Sequence, residues 1–273
     1  MKIQTVWAAY FSATDTTKKV VTRIARRLAD QSGAPLQTFD FTLPQVRREP
    51  KQFGEGDLVV FGTPVYAGRV PNLLIKYVAS VQGNGALAVP VVCYGNRNYD
   101  DALMELSLTL EAGGFTTLAA AAFSCQHAFS RTQAAGRPDT SDLTIAGGFA
   151  DQVWKKGEAD GPISAKVKGS NPVGPYYTPR DRHGEPIRDF LKAKPVTDPA
   201  KCVKCGLCAR ICPMGSIDPQ DVSSVVGKCI KCCACVKKCP RGAKYFDHEG
   251  YLYHQHELED QYAGRRAESK IFL

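Results

Sequence analysis

CVKCGLCARICP (Cys202–Pro213) and CIKCCACVKKCP (Cys229–Pro240) decide how this chain is read. Cys202, Cys205, Cys208 and Cys212 recur 27 residues later as Cys229, Cys232, Cys235 and Cys239, and a proline closes each run. This is an internal duplication. Three cysteines at this spacing put three thiolates on one loop, enough to grip three irons of a cubane, while the fourth turns away to the other cluster. The expected ligand sets therefore cross. One [4Fe–4S] cluster takes Cys202, Cys205, Cys208 and Cys239; the other takes Cys229, Cys232, Cys235 and Cys212. Structural zinc also uses CxxC pairs, but it does not require three cysteines so spaced with a following proline, twice over.

The rest of the composition agrees. The chain has 11 cysteines, an odd number, which argues against a disulfide framework. Cys93, Cys125 and Cys233 fall outside the pattern and read as small buried side chains. The formal charge of +8 is largely offset once thiolates, oxidised clusters and a phosphate are counted, which brings it to about +2. No nucleic-acid footprint is read from it. Residues 201–244 carry nine Lys and Arg against Asp218 and Asp221, which reads mainly as a solvated face compensating thiolates. No apolar run reaches the ~20 residues of a membrane helix. The N-terminus lacks the pattern of a signal peptide, so the expected location is the cytoplasm.

Upstream, residues 1–156 alternate between strand and helix patterns. Ile3–Phe11, Pro35–Thr42, Asp57–Thr63, Ala88–Tyr94 and Thr116–Ser124 read as strands. Helices are expected over Thr17–Ala29, from Pro71, over Asp100–Ala112, and from near Asp139 to about Lys156. Five strands alternating with helices predict an α/β fold: a flavodoxin-like, doubly wound, five-stranded parallel sheet followed by a small ferredoxin-like domain. Residues 157–199, rich in Gly, Pro and charge, read as a linker. Residues 200–245 form the cysteine domain, and 246–273 a tail with no assigned chemistry.

Ligands of such sheets bind beyond the carboxyl ends of the strands, at the switch in strand order. After strand one come Ser12, Ala13, Thr14, Asp15, Thr16 and Thr17, hydroxyls and N–H groups at a helix start, suited to phosphate. Neither GxGxxG nor a Walker GK[ST] is present, which disfavours a dinucleotide or nucleoside triphosphate. After strand three come Thr63, Pro64, Val65, Tyr66, Ala67 and Gly68; after strand four, Tyr94, Gly95, Asn96, Arg97, Asn98 and Tyr99. Tyr66 and Tyr99 are the candidate pair for stacking a flavin ring, with Tyr94 as a substitute for Tyr99. Gly68 would let a peptide reorient, and Arg69 or Arg97 would sit near flavin N1. No catalytic acid or base is assigned, and His127 and Ser130 lie at the same edge.

The hydroxyl-rich loop resembles the FMN phosphate loop of flavodoxins, with Asp15 where glycine is usual. The segment 202–240 resembles a bacterial two-[4Fe–4S] ferredoxin. Over about residues 3–245 the chain resembles the flavodoxin–ferredoxin fusions known as electron-donor ferredoxins of anaerobes, through TPVYAGRVP, YGNRNYDDAL, AAGRPD and the double cysteine motif. That resemblance implies an FMN domain wired to two clusters and an electron-transfer role with a redox partner protein. An FMN-dependent reductase of a small organic substrate and a subunit of a larger redox complex are the alternatives.

Overall fold

β1 (Thr5–Tyr10), β2 (Leu36–Asp40), β3 (Asp57–Pro64) and β4 (Leu87–Tyr94) form parallel pairs in the order β2-β1-β3-β4. Their side chains alternate between the two faces. Val6, Ala8, Leu58, Val60 and Val91 face one side, packed with Val20, Ile24 and Leu28 of α1 (Thr16–Ser32). Ala9, Phe11, Val59, Phe61 and Val92 face the other, with Leu103, Leu106 and Leu110 of the helix over Ala102–Ala112. The reversal of direction between β1 and β3 gives the flavodoxin-like order, with its ligand crevice at the carboxyl ends of these strands. This computed structural model describes residues 2–159 and 164–273; Met1 and 160–163 of the expected linker lie outside the described residues.

Helix α1 lies tight against the sheet at one point that bears on the crevice. A Cβ on Gly62, near the end of β3, would sit 2.2 Å from Val21 Cγ2. Gly62→Ala is therefore expected to cost about 1–3 kcal/mol through overpacking. A lowered unfolding midpoint of the first domain would report it; an unchanged midpoint would show that α1 has room to shift.

Three elements differ from expectation. The helix after Pro71 is a single turn, α2 (Ile75–Val78), before the chain re-enters the sheet margin through the Gln52–Gln82 bridge. α3 (Ala102–Ala112) and α4 (Thr140–Glu158) follow the sequence reading closely, the latter opened by an Asp139–Asp142 capping box. The expected fifth strand splits into β5 (Thr116–Thr117) and β6 (Ala120–Ser124), both parallel to β4. At the break, the Thr117 carbonyl accepts from Ala165 N–H and the Leu118 carbonyl accepts from Lys156 Nζ, so outside partners replace the ladder.

The segment after residue 245 holds the third difference. It forms α7 (Glu249–Gln261) and ends in β9 (Lys270–Phe272), which pairs antiparallel with β6 through Ala120–Phe272, Ala121–Ile271 and Ala122–Lys270. The C-terminus thus returns to the first domain and closes its sheet edge. The cysteine domain between them has a short antiparallel pair, β7 (Val196–Thr197) with β8 (Lys244–Tyr245), and two one-turn helices, α5 (Leu207–Arg210) and α6 (Ala234–Lys237).

Candidate cluster cavities and flavin edge

The duplication is written into the backbone. Lys204 and Lys231, Gly206 and Cys233, and Gly215 and Gly242 are repeat mates, and all six have positive φ. The fourth cysteine of each run accepts the N–H four residues on: Ser216 N to Cys212 Sγ and Ala243 N to Cys239 Sγ, both 3.3 Å. At Cys239, burial raises the thiol pKa, but the N–H groups of Ala243, Arg241, Lys244 and Gly242 outweigh it and lower the pKa overall.

Two cavities lie between the runs. Cys202, Cys205, Cys208 and Cys239 line one, together with exposed Val203 and Arg241. Cys229, Cys232, Cys235 and Cys212 line the other, with Ile230 and Phe246. Cys235 also reaches the first cavity. Each cavity thus gathers three cysteines of one run and the fourth of the other, and Cys233 lines the second as well. Their walls are apolar and sulfur-rich, a donor set suited to soft iron–sulfur chemistry. Cys233 is not among the four expected ligands. It occupies the left-handed position that Gly206 holds in the first run, is buried, and lies 3.2 Å from the Tyr251 hydroxyl.

At the sheet edge, the loop after β1 is open to an anion. Asp15 opens α1 at φ 66° without capping it, and no acidic residue occupies the first turn. Ser12 N–H donates to Thr42 Oγ1 and Ser12 Oγ accepts from Lys18 N–H, whereas the N–H groups from Ala13 to Thr17 have no hydrogen-bond acceptor among the described residues. Five free N–H groups beside the Thr14 and Thr16 hydroxyls match what a phosphate monoester needs. Near the end of β3, the fully buried Thr63 Oγ1 has no partner among the described residues either. Tyr66 and Arg69 close a tight turn through Ala67 and Gly68, both at positive φ. These observations fit a bound flavin phosphate and a ring beside Tyr66.

The remaining loop residues are placed differently from the sequence reading. Gly68 is packed against Asp100, where a Cβ would come within 2.4 Å of Oδ2, so its turn is held rather than free. Arg69 forms a buried ion pair with Glu105 at 2.6 Å and stacks over Tyr176, which removes it from the flavin N1 position expected for it. Arg97 pairs with Asp100 and lies over the Tyr177 ring. Tyr94 and Tyr99 contact each other at 5.6 Å, and the Tyr94 hydroxyl donates to the Glu268 carbonyl. Asn96 is fully buried; its amide donates to Arg265 O and accepts from Ala267 N–H. Asn98 caps Asp100 N–H, and the Gly95 carbonyl accepts from Gln133. Tyr66 and Tyr99 alone of the three tyrosines keep unbonded hydroxyls among the described residues, both packed on the same apolar cluster.

Residues 194–240 match the family model described as 4Fe–4S dicluster domain. The second domain is of that 4Fe–4S type. Among solved structures, an archaeal flavodoxin aligns at 12% identity over 57% of this chain and 99% of its own, with a TM-score of 0.39. A flavodoxin of Streptococcus pneumonia TIGR4 aligns at 16% over 56% and 99%, TM-score 0.39. The flavodiiron protein of Giardia intestinalis aligns at 14% over 56% and 36%, TM-score 0.34. No curated protein matches the chain. The flavodoxin-like assignment of the first domain rests on its strand order and parallel register. Among the described residues no helix is long and apolar enough to cross a membrane.

The dicluster domain sits on the sheet edge, not apart from it. Cys232 and Ala234 belong to the same apolar cluster as Phe11, Phe41 and Tyr94, with Ile211, Ile230 and Tyr66 packed against it. Burial pushes the Tyr66 phenol well above its ordinary pKa, and the sulfurs of Cys232, Cys233 and Cys229 add to the shift. Lys237 Nζ donates to the His127 carbonyl at 2.6 Å, and Lys238 pairs with Asp15 at 2.9 Å. Across the edge runs the segment before the dicluster domain. Asp101 accepts from Ser170 and Gly174 N–H, and Tyr177 N–H donates to the Ala67 carbonyl. The sequence singles out Tyr176 and Tyr177, with Ile187 and Phe190, to pin this Gly/Pro-rich stretch to a domain surface; it gives no local signal for their partners, which lie about 70 or more residues away.

His127 is structural in this setting. Its ring fills the space a Cβ on Gly95 would take, 2.1 Å from His127 Cδ2. Desolvation first, then the charges of Lys237, His254 and Arg97, lower its pKa to about 3. The unfolded chain would protonate this ring near its ordinary value of 6.5, so between about 6.5 and about 3 only the unfolded state binds the proton. Stability therefore falls as pH drops through that window. His127→Gln is expected to flatten this acid limb, seen as a smaller loss of thermal midpoint between pH 7 and pH 5 than in the wild type. An identical pH slope in both proteins would show that His127 is not the group responsible.

Proposed function

We propose that this chain is an electron-transfer protein in which two [4Fe–4S] clusters and one FMN form a single wired unit. The observation that carries the proposal is the pair of cavities, each walled by three cysteines of one run and the crossed fourth of the other, with the inner one set against the flavodoxin-like edge. The two cavities differ in their surroundings. Around the outer one, Lys201, Lys204, Cys205, Arg210 and Arg241 are exposed, and Val203 is 60% exposed. Around the inner one, Lys231, Cys232, Cys233, Ala234 and Cys235 are all buried. A one-electron partner protein would therefore meet the outer cluster, and the inner cluster would face the flavin.

Within this scheme the eight cysteines hold the clusters, and the N–H groups of Ala13–Thr17 receive the FMN phosphate. Tyr66, packed on the apolar cluster that contains Cys232, would hold the flavin ring. The segment Gly174–Tyr177 and the Asn96–Ala267 contact hold the flanking loops and exclude water from that edge. FMN, when bound, supplies two-electron storage released one electron at a time, which joins it to one-electron clusters.

The test is anaerobic purification of the full chain with iron, sulfide and flavin analysis, followed by redox titration. About eight irons and about one FMN per chain is the expected result. Zinc in place of iron would overturn the cluster half. Intact clusters in a chain that does not take up FMN would overturn the flavin half.

A further inference from the structure

The ion pair between Asp15 and Lys238 joins the phosphate loop to the dicluster domain at a point that matters for both. Asp15 lies in the middle of the free N–H groups, with φ 66° and no capping bond of its own. A carboxylate there opposes a phosphate dianion a few ångströms away. Lys238 Nζ answers it from the other domain, 3.0 Å from Oδ1 and 2.9 Å from Oδ2. Lys238 directly precedes Cys239, the cysteine that crosses to the outer cavity. A second cation spans the same seam. Arg47 donates to the carbonyls of Phe41 and Thr42, beside Ser12, and to the carbonyl of Pro213, which follows the other crossing cysteine, Cys212. Both crossing cysteines are thus flanked by residues tied to the phosphate-loop side of the sheet.

We infer that Lys238 is a positioning residue of the FMN phosphate site: it neutralises Asp15, so that FMN retention depends on a correctly folded dicluster domain. This rests on the proposed FMN binding. Its chemistry is specific to the phosphate. Without Lys238, the Asp15 charge repels FMN but has no phosphate to repel in riboflavin. Without Asp15, the Lys238 charge is left to the phosphate alone.

The experiment titrates FMN and riboflavin separately into full-length, cluster-loaded, flavin-free protein, read by quenching of flavin fluorescence, with iron content measured alongside. Lys238→Gln is expected to weaken FMN by about three- to tenfold, the range set by a half-exposed pair and a nearby dianion. Riboflavin affinity is expected to stay at the wild-type value. Asp15→Asn, which changes no residue of the dicluster domain, is expected to bind FMN more tightly than wild type, and Asp15→Asn/Lys238→Gln to return to about the wild-type affinity. Unchanged FMN affinity in Lys238→Gln overturns the inference. So does equal weakening of FMN and riboflavin, which marks a merely structural role, and so does weaker FMN binding by Asp15→Asn. A wild-type chain that binds neither flavin overturns the proposed FMN site and this inference with it.

Discussion

Cys212→Ala is expected to strip iron from the cavity whose other three cysteines belong to the second run, and to leave the first run's cavity loaded. The reason is the crossing. Cys212 belongs to the first run by sequence, but it lines the cavity of Cys229, Cys232 and Cys235. Cys239 is its mirror and lines the cavity of Cys202, Cys205 and Cys208. Each crossed cysteine is also the one that accepts an N–H bond from four residues on, so its replacement removes a ligand and leaves Ser216 or Ala243 N–H unpaired. Iron per chain is expected to fall from about eight to about four in either variant. The consequences differ by cavity. Loss of the inner cluster in Cys212→Ala is expected to cut electron delivery to the flavin while the outer cluster still reduces. Loss of the outer cluster in Cys239→Ala is expected to cut reduction by an external donor while flavin and inner cluster still exchange electrons. Iron analysis with low-temperature electron paramagnetic resonance on both variants checks this. Loss of the cluster belonging to the mutated run's own three cysteines would show that the ligand sets do not cross.

The second large effect is at Asn96. Its side chain both donates to and accepts from the returning C-terminal segment, to Arg265 O at 2.8 Å and from Ala267 N–H at 3.0 Å. Ser124 Oγ also donates to it at 3.2 Å. Asn96→Ala leaves the buried Ala267 N–H and Ser124 hydroxyl without this partner, at about 1–3 kcal/mol for each, or about 2–6 kcal/mol in all. Because Asn96 has φ 65°, alanine adds about 1 kcal/mol of backbone strain. Asn96→Gly separates the two costs: it relieves the strain and keeps the loss of hydrogen bonds. Both variants are expected to expose β9 first, since the other ties from the 265–268 turn to the first domain are the Tyr94–Glu268 contact, Arg137 Nη1 donating to Ala267 O and the half-exposed pairing of Arg266 with Asp139. Faster hydrogen exchange at Lys270–Phe272, and a thermal midpoint lowered by several degrees, would report it. Unchanged exchange there would show that β9 is held by its pairing with β6 alone.

Much of this protein was legible from local sequence. The double cysteine motif determines which thiolates can meet, because three ligands share one loop and their spacing is set within a dozen residues. The alternation of Ile3–Phe11, Asp57–Thr63 and Ala88–Tyr94 with helical patterns determined a parallel sheet, because apolar period is a local property. The run of hydroxyls at the start of α1 was legible for the same reason: it needs no distant partner.

What the tertiary structure alone decided is which charges and hydrogen bonds each of those residues spends elsewhere. Asp15 looked out of place in a phosphate loop until Lys238 appeared beside it, 223 positions away. Arg69 and Asn96 looked free for a flavin and are instead taken by Glu105 and by the C-terminal turn. The last stretch, Lys270–Phe272, is too short to carry a strand period and is a strand only because β6 leaves an open edge for it. Sequence determined the cysteine pattern and the layers, since both depend on neighbours along the chain. Structure decided how the second cysteine run docks on the sheet edge, since that depends on contacts between residues the chain brings together only once folded.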